Sequence, residues 1–115
     1  MSEITLRQTQ QIVERWIREY GVRYFNELTN LGILMEEVGE VARLITRIYG
    51  EQSFKASDQN KNLAEELGDV FFVLICLANQ CDVDLTDAFS KGMIKRTQRD
   101  YERHQCNPKL SGSPD

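Results

Sequence analysis

Two pairs of acidic residues interrupt segments that otherwise show the apolar periodicity of helices. Glu37 and Glu40 are three residues apart in ILMEEVGEVARLI (33–45), and Glu66 and Asp69 are three apart in AEELGDVFFVLICLA (64–78). Residues at this spacing are neighbours on one face of a helix. The sequence therefore predicts that two helices each present a pair of carboxylates where both helices turn toward the interior.

Four carboxylates in an apolar interior need a positive partner. Two of them about 5 Å apart repel by roughly 3 kcal/mol at an effective dielectric constant of 20, and burial adds a further cost. Lysine or arginine side chains could neutralise them. The other interpretation is a metal ion, and ligands that are all oxygen favour Mg²⁺, with Mn²⁺ as a substitute, over zinc or copper. A di-iron site would need Glu-x-x-His pairs, whereas the single histidine, His104, lies near the end of the chain.

A row of basic residues could bind phosphate groups. Lys91, Lys95 and Arg99 are spaced by four in SKGMIKRTQRDYERH (90–104) and would share one helix face. Magnesium in proteins usually keeps positions for water and substrate phosphates, so a phosphorylated small molecule is the expected ligand. The alternative is that basic residues near a helix end only complement its dipole.

Aromatic residues offer weaker candidates for ligand binding. Trp16, Tyr24 and Phe25 could stack on a nucleobase, although Trp16 also fits the apolar stripe of its helix and would then be a core residue. Phe54 and Lys55, in a polar loop, could close over a substrate or simply connect two helices.

The elements that must position these residues are four predicted helices. The apolar period places them at about residues 4–20, 27–49 and 59–80, and from Asp84 as N-cap to about residue 103. Ser57 or Asp58 could cap the third helix. We expect one all-α domain over residues 1–105 and a disordered tail over residues 106–115.

The third predicted helix is apolar on every face beyond Leu67. Such a helix must be covered on all sides. The other helices of one small chain would struggle to enclose it, so a second copy of the protein is the simplest cover. We therefore expect a homo-oligomer, either a dimer or a tetramer.

Composition limits the classes of partner and compartment. The formal net charge of −4 argues against nucleic acid as a partner. The longest apolar run, VFFVLICLA (70–78), is far shorter than the roughly 20 residues that cross a bilayer. The N-terminus does not resemble a secretion signal. Three cysteines without a CxxC pair suggest free thiols in a reducing compartment, and we expect a cytoplasmic protein.

Together these residues resemble a known family. EEVGE (36–40), followed after 25 residues by ELGD (66–69), is similar to the EExxE and ExxD signature of the all-α nucleotide pyrophosphohydrolases, a group that includes MazG proteins, dimeric dUTPases and dCTP pyrophosphatases. The likeness covers about residues 27–100 and is closest to single-domain MazG-like proteins. It implies a four-helix, bundle-like fold and hydrolysis of nucleoside triphosphates between the α and β phosphates, in nucleotide-pool housecleaning.

The resemblance also implies roles for individual residues. Glu37, Glu40, Glu66 and Asp69 would bind magnesium, and Glu36 would activate the attacking water or bind a further metal. One departure concerns Lys95, which stands where many relatives have asparagine. Two alternatives to an enzyme are a catalytically silent helical module for nucleotide or protein binding, and a purely structural bundle.

Overall fold

The chain folds into helices, as its apolar periodicity predicts. The computed structural model describes residues 2–56 and 62–112, and within these ranges it contains four α-helices and no strand. The helices are α1 (Leu6–Trp16), α2 (Glu27–Tyr49), α3 (Leu63–Gln80) and α4 (Leu85–Asp100). The all-α prediction is confirmed. In the segment predicted to be a disordered tail, Pro108–Leu110 form a short 3₁₀ turn.

Side-chain caps determine where the helices begin. The side chains of Asn26, Asn62 and Asp84 accept hydrogen bonds from backbone N–H groups in the first turns of α2, α3 and α4. The predicted cap at Asp84 is confirmed. Ser57 and Asp58, predicted to cap the third helix, lie outside the described residues, and the structure has Asn62 in that role.

The C-terminal end of the first helix differs from the prediction. Leu6–Trp16 are α-helical, and the expected continuation to residue 20 is a π-helical turn over Ile17–Gly21. The following residue, Val22, has φ of 71°, a region that β-branched residues rarely adopt. This irregular turn gives the chain a sharp change of direction before α2.

The chain divides into two compact units, Met1–Val83 and Asp84–Asp115, which are described separately. In the N-terminal unit, α3 packs against both α1 and α2. Gln10 meets Asn79 while Trp16 meets Phe72, so α1 and α3 are antiparallel. The second unit contains α4.

The face of α2 that packs on α3 is only one side of the stripe that the apolar period suggested. Leu31, Val38, Ile45 and Ile48 belong to that stripe, yet they are between 39% and 47% exposed. The buried residues of α2 are Asn30 and Leu44. Leu34 and Val41 of the same stripe are half-buried. The contact with α3 therefore includes one side of the apolar stripe together with acidic residues such as Glu37.

On α3 the buried apolar residues lie in its second half, at Val73, Ile75, Cys76 and Ala78. Other apolar residues of this helix, among them Leu67 and Leu74, are 51% and 41% exposed. One chain thus leaves part of α3 uncovered, which agrees with the premise of the predicted oligomer. No helix in the described ranges has the length and apolarity that a bilayer span requires.

Candidate functional site

Three carboxylates from two helices converge in the N-terminal unit. Glu37 of α2 and Glu66 and Asp69 of α3 each bring a carboxylate oxygen within 4.8 Å of those of the other two. The antiparallel pairing of α2 and α3 produces this meeting, because Asn30 contacts Gln80 near one end of the pair and the acids meet farther along. The structure thus brings together three of the four predicted metal ligands.

The burial of these acids differs from our expectation. We expected all four carboxylates in an apolar interior, but Asp69 is exposed, while Glu66 is only 8% exposed and Glu37 is half-buried. The reason is that α3 is incompletely covered around Asp69, where Leu67 is also exposed. Glu66 is therefore the carboxylate for which an uncompensated charge would cost most.

The electrostatics of this cluster favour a cation. Burial raises the pKa of Glu37, and the charges of Asp69 and Glu66 raise it further. Within the described part of Met1–Val83, no lysine or arginine forms an ion pair with these three carboxylates. The alternative of neutralisation by a basic side chain therefore has no support there. A set of oxygen ligands at this spacing fits a hard divalent cation such as Mg²⁺.

Glu36 and Glu40 lie at the edge of this cluster. Glu40 is half-buried and Glu36 is exposed. Both are near enough for their charges to raise the pKa of Glu37, with the effect of Glu40 larger than that of Glu36. Five acidic groups therefore act on the same small volume, although only three of them lie within mutual ligand distance.

A cavity of about 500 Å³ adjoins two of these carboxylates, a volume in the range of small-molecule sites. Glu37 and Asp69 form part of its wall, and so do the aromatic residues Trp16, Tyr24 and Phe25 that were predicted to stack on a base. The remaining lining residues are Ile17, Gly21, Arg23, Asn30, Ile33, Phe72, Val73 and Cys76. An acidic cluster and an aromatic pocket therefore form one continuous site.

The loop after the π-helical turn forms one side of this cavity. Tyr24 is held there because its hydroxyl donates to Glu14 Oε1 at 3.2 Å and accepts from Asn79 Nδ2 at 3.0 Å. Burial raises the pKa of Tyr24, so its hydroxyl stays protonated at neutral pH. Cys76 also faces the cavity, and burial raises the pKa of its thiol to about 11. A thiol that stays protonated is a poor nucleophile.

The predicted phosphate-binding residues lie on α4, in the second unit. Lys91, Lys95 and Arg99 are all exposed. Lys91 Nζ lies 3.0 Å from Asp87, and Arg99 lies 2.8 Å from Asp100. Two of the three cations thus already have an acidic neighbour on their own helix, and their phosphate contacts stay a prediction. Phe54 and Lys55, in the loop after α2, are exposed.

Sequence reasoning missed several residues that line the cavity, and helical spacing could have found them. Asn30 lies seven residues before Glu37, and Phe72 and Cys76 lie three and seven residues after Asp69. These spacings put each residue on the same helix face as the nearby acid. Arg23 lies in the irregular loop, where the sequence carries no comparable signal.

Two Bacillus subtilis proteins are similar to this chain over most of its length. YpjD of Bacillus subtilis (strain 168), an uncharacterized protein, is 42% identical over 103 residues, which are 90% of this chain and 93% of YpjD. Uncharacterized YvdC of the same strain is 32% identical over 97 residues, covering 75% of this chain and 91% of YvdC.

Two crystal structures share the fold. YpjD from Bacillus subtilis matches with a TM-score of 0.77 and 42% identity over 87% of this chain and 100% of that chain. A Bacillus-conserved MazG protein, described as a nucleotide pyrophosphohydrolase, matches with a TM-score of 0.70 and 37% identity over 83% and 92%. The predicted MazG-type fold is thereby confirmed.

A family model gives the assignment. The model of the MazG nucleotide pyrophosphohydrolase domain matches residues 25–104, which include α2, α3 and α4 and the five acidic residues in and around the cluster. The predicted resemblance is confirmed, and the chain belongs to the MazG family of nucleotide pyrophosphohydrolases.

Proposed function

We propose that the protein hydrolyses nucleoside triphosphates between the α and β phosphates in a reaction that depends on Mg²⁺ or, as a substitute, Mn²⁺. The observation that carries this proposal is the convergence of Glu37, Glu66 and Asp69 within 4.8 Å of one another, beside a cavity with aromatic walls. The products would be a nucleoside monophosphate and pyrophosphate.

The metal site would consist of Glu37, Glu66 and Asp69, with Glu40 as a fourth ligand. A bound divalent ion would offset charge on the phosphates and lower the pKa of the attacking water. In its absence these side chains repel one another, and this repulsion adds to the effect of burial in raising the pKa of Glu37. The acids therefore have a physical reason to bind a cation before they bind an anionic substrate.

The other residues would orient the substrate and move protons. Glu36 would accept a proton from the water whose oxygen attacks the α phosphorus, while the bond to the bridging oxygen breaks and pyrophosphate leaves. The aromatic residues Trp16, Tyr24 and Phe25 would surround the base. Lys91, Lys95 and Arg99 are proposed to contact phosphate groups, and Lys95 is the strongest candidate because the other two pair with neighbouring acids.

We further propose that the protein acts as a homodimer or homotetramer in the cytoplasm, in nucleotide-pool housecleaning, with no nucleic acid or membrane as a partner. The rival function is a catalytically silent module that binds nucleotides or proteins. The complete set of Glu36, Glu37, Glu40, Glu66 and Asp69 favours the enzyme, since a binding module would tolerate loss of any of them.

The test is a panel of canonical and modified nucleoside triphosphates incubated with the protein and Mg²⁺. We expect release of pyrophosphate from at least one of them, with a loss on the order of 100-fold in kcat for Glu66→Gln. Glu65→Gln is the matched control, because Glu65 is an exposed neighbour on the same helix. Release of orthophosphate alone, or full activity in Glu66→Gln, would contradict the proposal.

A further inference from the structure

A buried amide lies in the wall of the cavity and has both its hydrogens engaged. Asn30 of α2 is 5% exposed, and it lines the cavity beside the acids. Its Nδ2 donates to Gln80 Oε1 at 2.8 Å and to the backbone carbonyl of Phe25 at 3.3 Å. Gln80 Nε2 donates to the same carbonyl at 2.9 Å. Asn30, Gln80 and the loop before α2 thus form one hydrogen-bonded group.

The chemistry of the partners fixes the orientation of both amides. A backbone carbonyl can only accept hydrogen bonds, so the nitrogen of each amide must face Phe25. Gln80 Nε2 also lies 3.5 Å from the carboxylate of Glu27, a second group that only accepts when ionised. Gln80 therefore presents its oxygen to Asn30, and the Asn30 amide cannot rotate by half a turn without placing oxygen against oxygen.

This orientation leaves Asn30 Oδ1 as an acceptor that needs a donor. Within the described part of Met1–Val83, no group donates a hydrogen bond to this oxygen. Although the residue is buried, this oxygen is not a fully buried atom, so it is open to the cavity that Asn30 lines. The hydroxyl of Tyr24 cannot serve, because it already donates to Glu14. A ligand that enters the cavity is the natural source of the donor.

The position of Asn30 relative to the acids suggests which part of a ligand it meets. Asn30 and Glu37 are seven residues apart on one face of α2, about 10 Å along the helix axis. Aromatic side chains, including Trp16 and Phe72, line the same cavity. A nucleotide held by its phosphates near the acids would therefore extend its flat ring into the part of the cavity where Asn30 lies.

We propose that Asn30 Oδ1 accepts a hydrogen bond from an N–H group on the edge of the substrate base, and that Gln80 is a positioning residue that holds the Asn30 amide in this orientation. This inference rests on the proposed function and adds a rule of substrate selection to it. The protein would favour nucleotides whose base offers an amino or imino hydrogen and would discriminate against bases from which that hydrogen is missing.

Pairs of nucleoside triphosphates in which one member lacks this donor test the inference. We would measure kcat/KM for cytosine against 2-pyrimidinone, adenine against unsubstituted purine, and uracil against 3-methyluracil, each as the riboside triphosphate. In the pair that contains the best of these substrates, loss of the donor should lower kcat/KM at least about tenfold. Values within twofold in that pair would overturn the inference, whereas no pyrophosphate from any nucleotide would contradict the proposed function instead.

Two variants separate a hydrogen bond from a steric effect and test the role of Gln80. Asn30→Leu removes the acceptor. In the pair that contains the best substrate, the ratio of kcat/KM for the nucleotide with the donor to that for the nucleotide without it should therefore fall toward one. Gln80→Met removes the acceptor of the shorter of the two hydrogen bonds from Asn30 Nδ2, at 2.8 Å, and leaves the 3.3 Å bond to Phe25. It should lower the ratio at least threefold. Gln11→Met, at an exposed position on α1, is the matched control and should keep the wild-type ratio. A wild-type ratio in Asn30→Leu would overturn the role of Asn30, and one in Gln80→Met that of Gln80.

Discussion

Glu37 is the residue at which burial and neighbouring charges act on the same proton. Its pKa is raised by burial first, and then by Asp69, Glu66, Glu40 and Glu36. A raised pKa means that the folded state binds the proton more firmly than the unfolded chain does. The resulting contribution to stability is fully present below the unfolded pKa and is lost as the pH rises through the folded pKa.

Metal-free protein should therefore become less stable as the pH rises from about 4.5, the ordinary pKa of a glutamate side chain, toward neutrality. We expect the Tm of the wild type in EDTA to fall relative to that of Glu37→Gln over this window, because the variant has no proton to lose there. Scanning calorimetry at a series of pH values measures the difference. Asp100, whose pKa is lowered to about 2 by its hydrogen bond to Arg99, titrates below this window.

Added Mg²⁺ provides the second half of this test. At neutral pH it should raise the Tm of the wild type, since binding to the folded state adds stability, and it should raise that of Glu37→Gln less. Glu51→Gln, at an exposed position after α2, is the control and should behave as the wild type does. If Tm depended on pH in the same way for the wild type and Glu37→Gln, both in EDTA and with Mg²⁺, then Glu37 would neither titrate in this window nor contribute to metal binding.

At the scale of helices, the sequence predicted much of the structure. Periodicity and caps predicted α2 at residues 27–49 and Asp84 as a cap, and the three-residue spacing of the acids predicted the faces that meet. The sequence could not show which apolar residues of α2 face α3 and which stay exposed, because an apolar residue can face either its own chain or another surface. The cavity was also beyond prediction, since its wall includes a loop that follows a π-helical turn.

The cap of α3 gives a prediction at this scale. Asn62 accepts hydrogen bonds from the N–H groups of Ala64 and Glu65, one turn before the buried carboxylate of Glu66. Asn62→Ala should lower the free energy of unfolding by about 1 kcal/mol, as loss of a cap typically does, and Asn62→Asp should retain most of the stability. Urea titration followed by circular dichroism measures both variants. Equal stability of Asn62→Ala and the wild type would show that this cap does not stabilise α3.

At the scale of the whole molecule, exposed apolar residues form a continuous row on α2. They alternate at spacings of three and four residues, which is typical of a helix that packs against another helix. The row consists of Leu28, Leu31, Met35, Val38, Ala42, Ile45 and Tyr49, all exposed in the single chain. Together with exposed Leu67 and Leu74 of α3, it is a large apolar surface for a chain of this size.

This surface predicts the assembly state. Light scattering at micromolar concentration should give a mass of two or four times 13.3 kDa. Val38→Glu, which places a charge in the middle of the row, should shift the mass toward one chain, while Glu51→Gln should leave it unchanged. A wild-type mass of one chain would contradict the inference that a second copy covers α2 and α3.

Joint binding of a divalent ion by Glu37, Glu66 and Asp69 can be seen directly in a crystal grown with Mn²⁺ and measured at the manganese absorption edge. We expect an anomalous peak within about 2.5 Å of carboxylate oxygens from all three residues, and no peak in crystals of Glu66→Gln. A peak elsewhere in the molecule, with these three side chains directed away from one another, would contradict joint binding.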